Sequence, residues 1–237
     1  MINITTISDT HGKHDLVHAK NVGSGDLILH AGDATPRGSR EDIEEFLRWY
    51  GDLDFEMKVF IAGNHDFDFE RNPTLYEELC KNYGVTLLND SGVKFHGLNI
   101  WGSPVQPWFH NWAYNRMRTE AAATVKHPFI GKHWDMIPKN TDILITHGPA
   151  YGILDETSYR RENAGCELLR KKIEEIRPVL HVCGHIHEAR GVHVDRGASP
   201  ITYVNASSLD LSYYPYRQKA FKFDWNNLLI GQSHGED

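Results

Sequence analysis

Five times along this chain a short apolar run stops abruptly at a cluster of Asp, Asn, His and Gly. The clusters are Asp9-Thr10-His11, Gly32-Asp33, Gly63-Asn64-His65-Asp66, Thr146-His147-Gly148 and Gly184-His185-Ile186-His187. The runs ahead of them cover residues 2–7, 26–31, 58–62, 142–146 and 179–183, and a further run lies at 85–88. Apolar runs of this length, bounded by turn formers, are expected to be buried strands. Because α/β proteins bind ligands at strand ends, the pattern predicts strands that deliver polar side chains to a common site.

Helical periodicity fills some of the gaps. Ile43, Phe46, Leu47 and Tyr50 repeat at i, i+3, i+4 and i+7 within residues 40–50, and Leu169, Ile173 and Ile176 mark a second helix over 166–176, which Pro178 stops. Strands alternating with helices predict an α/β chain. Residues 93–95 and 98–101 read as a hairpin across His96-Gly97, and 201–205 with 220–224 as a second hairpin-like region. The sheets should therefore be mixed, two of them packed face to face between helices. No repeat, low-complexity tract or linker divides the 237 residues, so one domain over 1–237 is expected. The least regular stretch, 102–116, carries Trp108, Phe109, Trp112 and Tyr114 just after Trp101, and reads as an aromatic loop or lid.

Composition narrows the function classes. Aliphatic, aromatic and Cys residues make up 40%, enough for a core, and the net charge of -7 provides no field to hold nucleic acid in bulk. No run is long enough for a membrane helix, and the first residues lack a basic segment followed by an apolar one. The three cysteines, Cys80, Cys166 and Cys183, show no C-x-x-C spacing and suit buried thiols in a reducing compartment. A cytoplasmic location is the expectation. The unusual count is 15 histidines, since imidazole is both a neutral-pH proton carrier and a transition-metal ligand.

All donors in the five clusters are oxygen or imidazole nitrogen. Side chains two apart on an extended chain point the same way, so Asp9 with His11, and His185 with His187, are each a candidate ligand pair. Such donors suit Mn, Fe, Zn or Ni better than a thiolate metal or calcium.

The ordered blocks D-x-H, G-D, G-N-H-D, H-G and G-H-x-H resemble the calcineurin-like metallophosphoesterase superfamily over residues 9–187. Ile-Ala-Gly-Asn-His-Asp at 61–66, Thr-His-Gly-Pro at 146–149, the Trp-Gly-Ser-Pro and Pro-Trp-Phe pieces within 101–109 and Leu-His-Val-Cys-Gly-His-Ile-His-Glu at 180–188 are similar to its brain-type metallophosphodiesterase branch. The resemblance implies a four-layer α/β/β/α sandwich of two mixed sheets flanked by helices. It implies two divalent ions, Mn²⁺ first with Fe, Zn or Ni as alternatives. Asp9, His11, Asp33 and His187 would hold one ion, and Asp33, Asn64, His147 and His185 the other, with Asp33 as the bridge. It further implies hydrolysis of phosphodiesters, cyclic nucleotides among them, through a metal-bound hydroxide. His65 would protonate the leaving group, and Asp66 would hold the His65 tautomer. Some members of the branch replace the first histidine of the final pair; this chain keeps it as His185.

Other readings stand beside these. Asp66 either orients His65 or caps its turn. Arg37 falls where phosphoprotein phosphatases bind phosphate in G-D-x-x-D-R-G, but Pro36 replaces the second Asp, so an exposed loop arginine is the alternative. The aromatic loop either stacks a nucleobase or only packs. His14 and His18 imitate H-E-x-x-H with Asp15 in place of Glu, and suit a surface or helix-start role better than a zinc peptidase. His30 and His181 lie within strands and should pack, while His234 belongs to no cluster. The rivals to a phosphodiesterase are a phosphomonoesterase or protein phosphatase, and a non-catalytic scaffold on the same fold. No G-x-S-x-G, Walker or Rossmann pattern occurs. The expected partner is a small phosphoester, nucleotides included. Oligomeric state is left open.

Overall fold

Alternation along the buried strands sets the layering. In β2 (Gly25–His30), Leu27 and Leu29 face one side of the sheet and Ile28 the other; in β9 (Ile143–Thr146), Ile143 and Ile145 oppose Leu144 in the same way. Strands that are apolar on both faces must be covered on both. The computed structural model, which describes residues 1–17, 22–197 and 199–230, meets that demand with two sheets face to face and helices outside each.

The elements run β1 (Asn3–Ile7), β2, α1 (Arg40–Gly51), β3 (Phe55–Phe60), α2 (Phe67–Arg71), α3 (Pro73–Asn82), β4 (Thr86–Leu87), β5 (Ser91–Phe95) and β6 (Leu98–Ser103). Then follow β7 (Gln106–Pro107), β8 (Asn115–Arg116), α4 (Gly131–Asp135), β9, α5 (Glu167–Ile176), β10 (Leu180–Cys183), β11 (Gly191–Asp195), β12 (Ile201–Asn205), β13 (Phe221–Asp224) and α6 (Trp225–Ile230). One sheet has the order β13-β1-β2-β3-β4, parallel except for β13. The other runs β11-β12-β10-β9-β6-β5, parallel except for its two edge strands. A short parallel pair, β7 with β8, lies within the aromatic stretch.

Three apolar layers follow from this stacking. Leu27, Leu29, Val59 and Ile61 meet Ile100, Ile143, Ile145, Val182 and Val204 between the sheets. Ile43, Phe46, Leu47 and Tyr50 of α1 cover the outer face of the first sheet with Tyr76 and Cys80 of α3. Leu169 and Ile173 of α5, with Trp134 of α4, cover Leu144, Ile201 and Tyr203 of the second. This is the four-layer α/β sandwich with two mixed sheets. Ser39 caps α1 by accepting the Asp42 amide at 3.2 Å, and α5 ends at Arg177 in the left-handed conformation, just before Pro178.

The expected pairing of 201–205 with 220–224 is corrected. β12 pairs with β10 and β11, whereas β13 pairs antiparallel with β1 on the edge of the opposite sheet. There Phe221 and Phe223 pack against the inter-sheet core. The hairpin partner of β12 is Gly191–Asp195, an edge strand whose exposed positions hide it from an apolar-run search. All three cysteines are free and buried. No helix among the described residues is long and apolar enough to cross a membrane.

Candidate metal centre

The parallel strands of both sheets finish on one rim, where Ser8 and Ser207 form a parallel bridge and the Ser208 amide donates to Ser8 O at 2.8 Å. Beyond β1, β2, β3, β9 and β10 the chain turns sharply. Asp9, His11, Asp33 and His185 all adopt positive φ, between 44° and 69°. Non-glycine residues seldom sit there, and several together mark a site where surrounding contacts over-determine the backbone. Two glycines permit the crowding. A Cβ on Gly63 would strike Asp33 Oδ1 and come within 2.7 Å of the His147 ring, and one on Gly184 would strike Ser8 Oγ and Asp9 Oδ2.

The seven candidate ligands converge. His11 Nε2 lies 3.2 Å from His187 Nε2 and 3.7 Å from Asp33 Oδ2, while His187 Nε2 lies 3.4 Å from Asp9 Oδ1. On the other side, His147 Nε2 is 3.4 Å from Asp33 Oδ1 and 2.9 Å from Asn64 Oδ1. Ligand atoms of Asp33, His147 and His185 lie within 4.8 Å of one another, as do those of Asp9, His11 and His187. Asp33 thus turns one oxygen to each group.

Tautomers favour ligation. His147 Nδ1 is 2.9 Å from Ala31 O, and His187 Nδ1 is 3.1 Å from Asp210 O. A carbonyl only accepts, so each Nδ1 carries a hydrogen and each Nε2 faces the centre as the atom that would ligate a cation once its proton is displaced. Asp9 accepts the His185 amide with both oxygens at 3.1 Å and the Ser207 hydroxyl at 2.9 Å. His11 Nδ1 is buried and has no hydrogen-bond partner among the described residues. Imidazole nitrogens converging beside two buried carboxylates fit divalent cations, and the oxygen and nitrogen donor set suits the borderline metals.

Electrostatics point the same way in the metal-free protein. Burial opposes ionisation of Asp9 and Asp33, but His187 and His147 respectively hold each net below the usual carboxylate range. Burial alone would lower His147 and His187; Asp33 and Asp9 respectively carry them up to about 9. Burial pushes His11 down to about 4 and His185 down to about 3. The carboxylates are negative and two imidazoles hold protons that a cation would replace.

His65 and Asp66 do not form the expected pair. His65 Nδ1 is 2.7 Å from Pro36 O, and its Nε2 lies 4.0 Å from Asp33 Oδ2, on the wall of the cleft. The Asp66 carboxylate accepts from the amides of Gly63, Ala34 and Thr35 and from the Thr35 hydroxyl, at 2.8, 3.2, 2.9 and 2.7 Å. It holds the turn, and the Pro36 carbonyl takes the orienting role.

The cleft, about 270 Å³, is lined by His11, Asp33, Asn64, His65, His185 and His187 with Phe109, Trp112, Glu188, Leu211 and Tyr213. Arg37 is exposed, its guanidinium 5.7 Å from the Trp112 ring centre, and does not line it. His14 is buried against Trp49 at 5.2 Å, away from the centre; His18 and His234 lie outside the described residues. His30 and His181 pack in the core as expected.

Sequence reasoning missed the segment after β12. Asn205 Nδ2 donates to Ile186 O at 2.8 Å, Ser207 holds Asp9, Asp210 holds His187, and the Tyr213 ring stands edge-on to His11 and His187 at 5.0 and 5.5 Å. The signal was present, because Asn205-Ala206-Ser207-Ser208 is a sixth polar cluster ending an apolar strand.

Comparison with known proteins gives the family and the fold. Metallophosphoesterase domain-containing protein 1 of Homo sapiens is 36% identical over 231 residues, covering 88% of this chain and 67% of the relative. A UPF0046 protein of Caenorhabditis elegans is 33% identical over 218 residues, covering 87% and 69% respectively. The structure of TT1561 of Thermus thermophilus superposes with a TM-score of 0.56 over 94% of this chain and 98% of that one, at 15% identity, a likeness of fold. Residues 2–189 match the calcineurin-like phosphoesterase domain, and the chain belongs to that family.

Proposed function

We propose that the protein is a metal-dependent phosphodiesterase acting on small phosphodiesters, nucleotide diesters among them. The observation that carries the reading is the split of Asp33, with Oδ1 toward His147 and Oδ2 toward His11 and His65. Asp9, His11, Asp33 and His187 would hold one ion and Asp33, Asn64, His147 and His185 the other, Mn²⁺ being the ion we favour. When bound, the ions supply positive charge for the phosphate oxygens and acidify a water molecule.

The chain's own residues would do the rest. Water oxygen joins phosphorus as the ester P–O bond breaks, and the electron pair leaves on the departing oxygen. That oxygen takes the proton from Nε2 of the His65 imidazolium, and a proton from the attacking water passes to solvent. The Nδ1–H of His65, held by Pro36 O, keeps Nε2 turned to the cleft. Phe109, Leu211 and Tyr213 give the cleft apolar walls for an ester arm. The choice of diester over monoester rests on charge: among the described residues, none that lines the cleft is Lys or Arg, so a dianionic monoester finds no additional cationic clamp.

The test is initial rates on bis(p-nitrophenyl) phosphate and p-nitrophenyl phosphate with metal-stripped protein, before and after adding Mn²⁺. A restored rate favouring the diester is expected. Preference for the monoester would establish a phosphomonoesterase instead, and metal uptake without activity on either would favour a scaffold.

A further inference from the structure

We infer that Trp112 is a positioning residue for the reaction, its indole fixing the plane of the His65 ring. This rests on the proposed proton-donor role of His65. The two rings are stacked, with centres 4.2 Å apart and planes 27° from parallel. An imidazole rotates broadly about χ2, so one hydrogen bond from Nδ1 to Pro36 O leaves the ring free to tilt about that bond. The indole face removes the tilt toward it, and the His11 ring, with its centre 4.6 Å from that of His65 and its plane at 81° to it, is a second neighbour that limits the ring's movement.

The stack is braced through the backbone. The amide of Ala113, next to Trp112, donates to the carbonyl of Asn64, next to His65, at 3.2 Å. One residue further on, the Tyr114 amide donates to Glu70 Oε2 at 2.9 Å. Phe67 packs on the indole at 5.8 Å. The aromatic loop is thus docked on the Gly63–Asp66 turn, and one face of Trp112 is occupied by His65 and unavailable to a substrate. Misplacement of a proton donor by a fraction of an ångström is costly because transfer requires a short, aligned hydrogen bond.

The proton matters little when the leaving group is already acidic and much when it is not. Trp112→Leu, which keeps apolar bulk but removes the flat face, should lower kcat on diphenyl phosphate about tenfold more than on bis(p-nitrophenyl) phosphate. KM should change little and Trp112→Phe should restore most of the difference. In a His65→Ala background Trp112→Leu should cause no further leaving-group-dependent loss. Independently of turnover, the His65 ring protons, assigned by their disappearance in His65→Ala, should move downfield in Trp112→Leu as the indole ring current is lost. An equal loss on both substrates, or a loss that persists without His65, would overturn the inference. If His65→Ala itself showed no leaving-group dependence, the proton-donor reading would fail first; if it did and Trp112→Leu did not, only the positioning role would fail.

Discussion

Asp66 and Thr35 are joined twice, the carboxylate Oδ1 accepting both the Thr35 amide at 2.9 Å and the Thr35 hydroxyl at 2.7 Å. The Oδ2 atom accepts from Gly63 and Ala34, so this fully buried side chain ties the loop after β2 to the loop after β3. These are the loops that carry Asp33, Asn64 and His65.

Asp66→Asn should therefore act on stability. The amide nitrogen cannot accept, which strands buried donors at about 1 to 3 kcal/mol each. Urea unfolding should show a loss of several kcal/mol, and metal affinity should fall with it. A kcat loss at unchanged stability and metal content would mean that Asp66 acts on His65 after all.

His65→Ala and Asp33→Asn should separate chemistry from metal binding. His65 Nε2 lies at the cleft wall, 4.0 Å from Asp33 Oδ2, and removing the side chain should cut turnover about 10²- to 10⁴-fold while metal content stays near normal. Asp33→Asn removes the charge shared by both donor groups and should lose both ions and activity. Elemental analysis beside steady-state rates decides the matter; full activity in His65→Ala would remove the proton donor from the scheme.

Chelation should soften the protein. Asp9, His11, Asp33 and His185 hold left-handed backbone conformations around two buried carboxylates, an arrangement whose strain and charge a cation offsets. Ligand present at a hundredfold excess over its Kd stabilises by about 2.7 kcal/mol. For a chain of this size that corresponds to about 5 to 10 °C in Tm. Thermal melts in EDTA and after titration with Mn²⁺ should differ by this order; identical melts would argue that no ion occupies the centre.

The parts of the site legible in the sequence are those in which one residue type has one meaning. Asp9, His11, Asp33, Asn64, His147, His185 and His187 follow apolar strands; parallel pairing aligns the strand ends within each sheet, and the packing of the two sheets, bridged at Ser8 and Ser207, brings them to one rim. The Asp66 contacts were not legible because an Asp beside a His serves equally to orient the ring or to hold a turn, and its distance from the Ala34 and Thr35 amides is set by tertiary packing. Trp112 was visible only as an aromatic in an irregular stretch. Its partner depends on how the loop docks, through the Ala113 to Asn64 hydrogen bond, which no periodicity encodes. β13 was mispaired for a similar reason: a strand next in sequence is the default neighbour, and only the edge position open beside β1 draws it to the other sheet.

His181 makes stability depend on pH away from the metal centre. Thr146 Oγ1 donates to Gly148 O at 2.7 Å, so it accepts from His181 Nε2–H at 2.8 Å; His181 Nδ1 is then bare, buried and without a hydrogen-bond partner among the described residues. Burial pushes the His181 pKa from 6.5 down to about 3. The folded state thus favours the neutral ring, and its contribution is fully present above the unfolded pKa of 6.5 and lost as pH falls toward 3. At pH 5 the linkage amounts to about 2 kcal/mol. His181→Gln keeps a donor for Thr146 and cannot become charged, so the fall in unfolding free energy between pH 8 and pH 5 should be smaller in this variant by about that amount. Contributions from the metal ligands are common to both proteins and cancel in the comparison. Guanidinium unfolding at the two pH values measures it, and an unchanged fall would mean that His181 titrates normally and its ring reaches water.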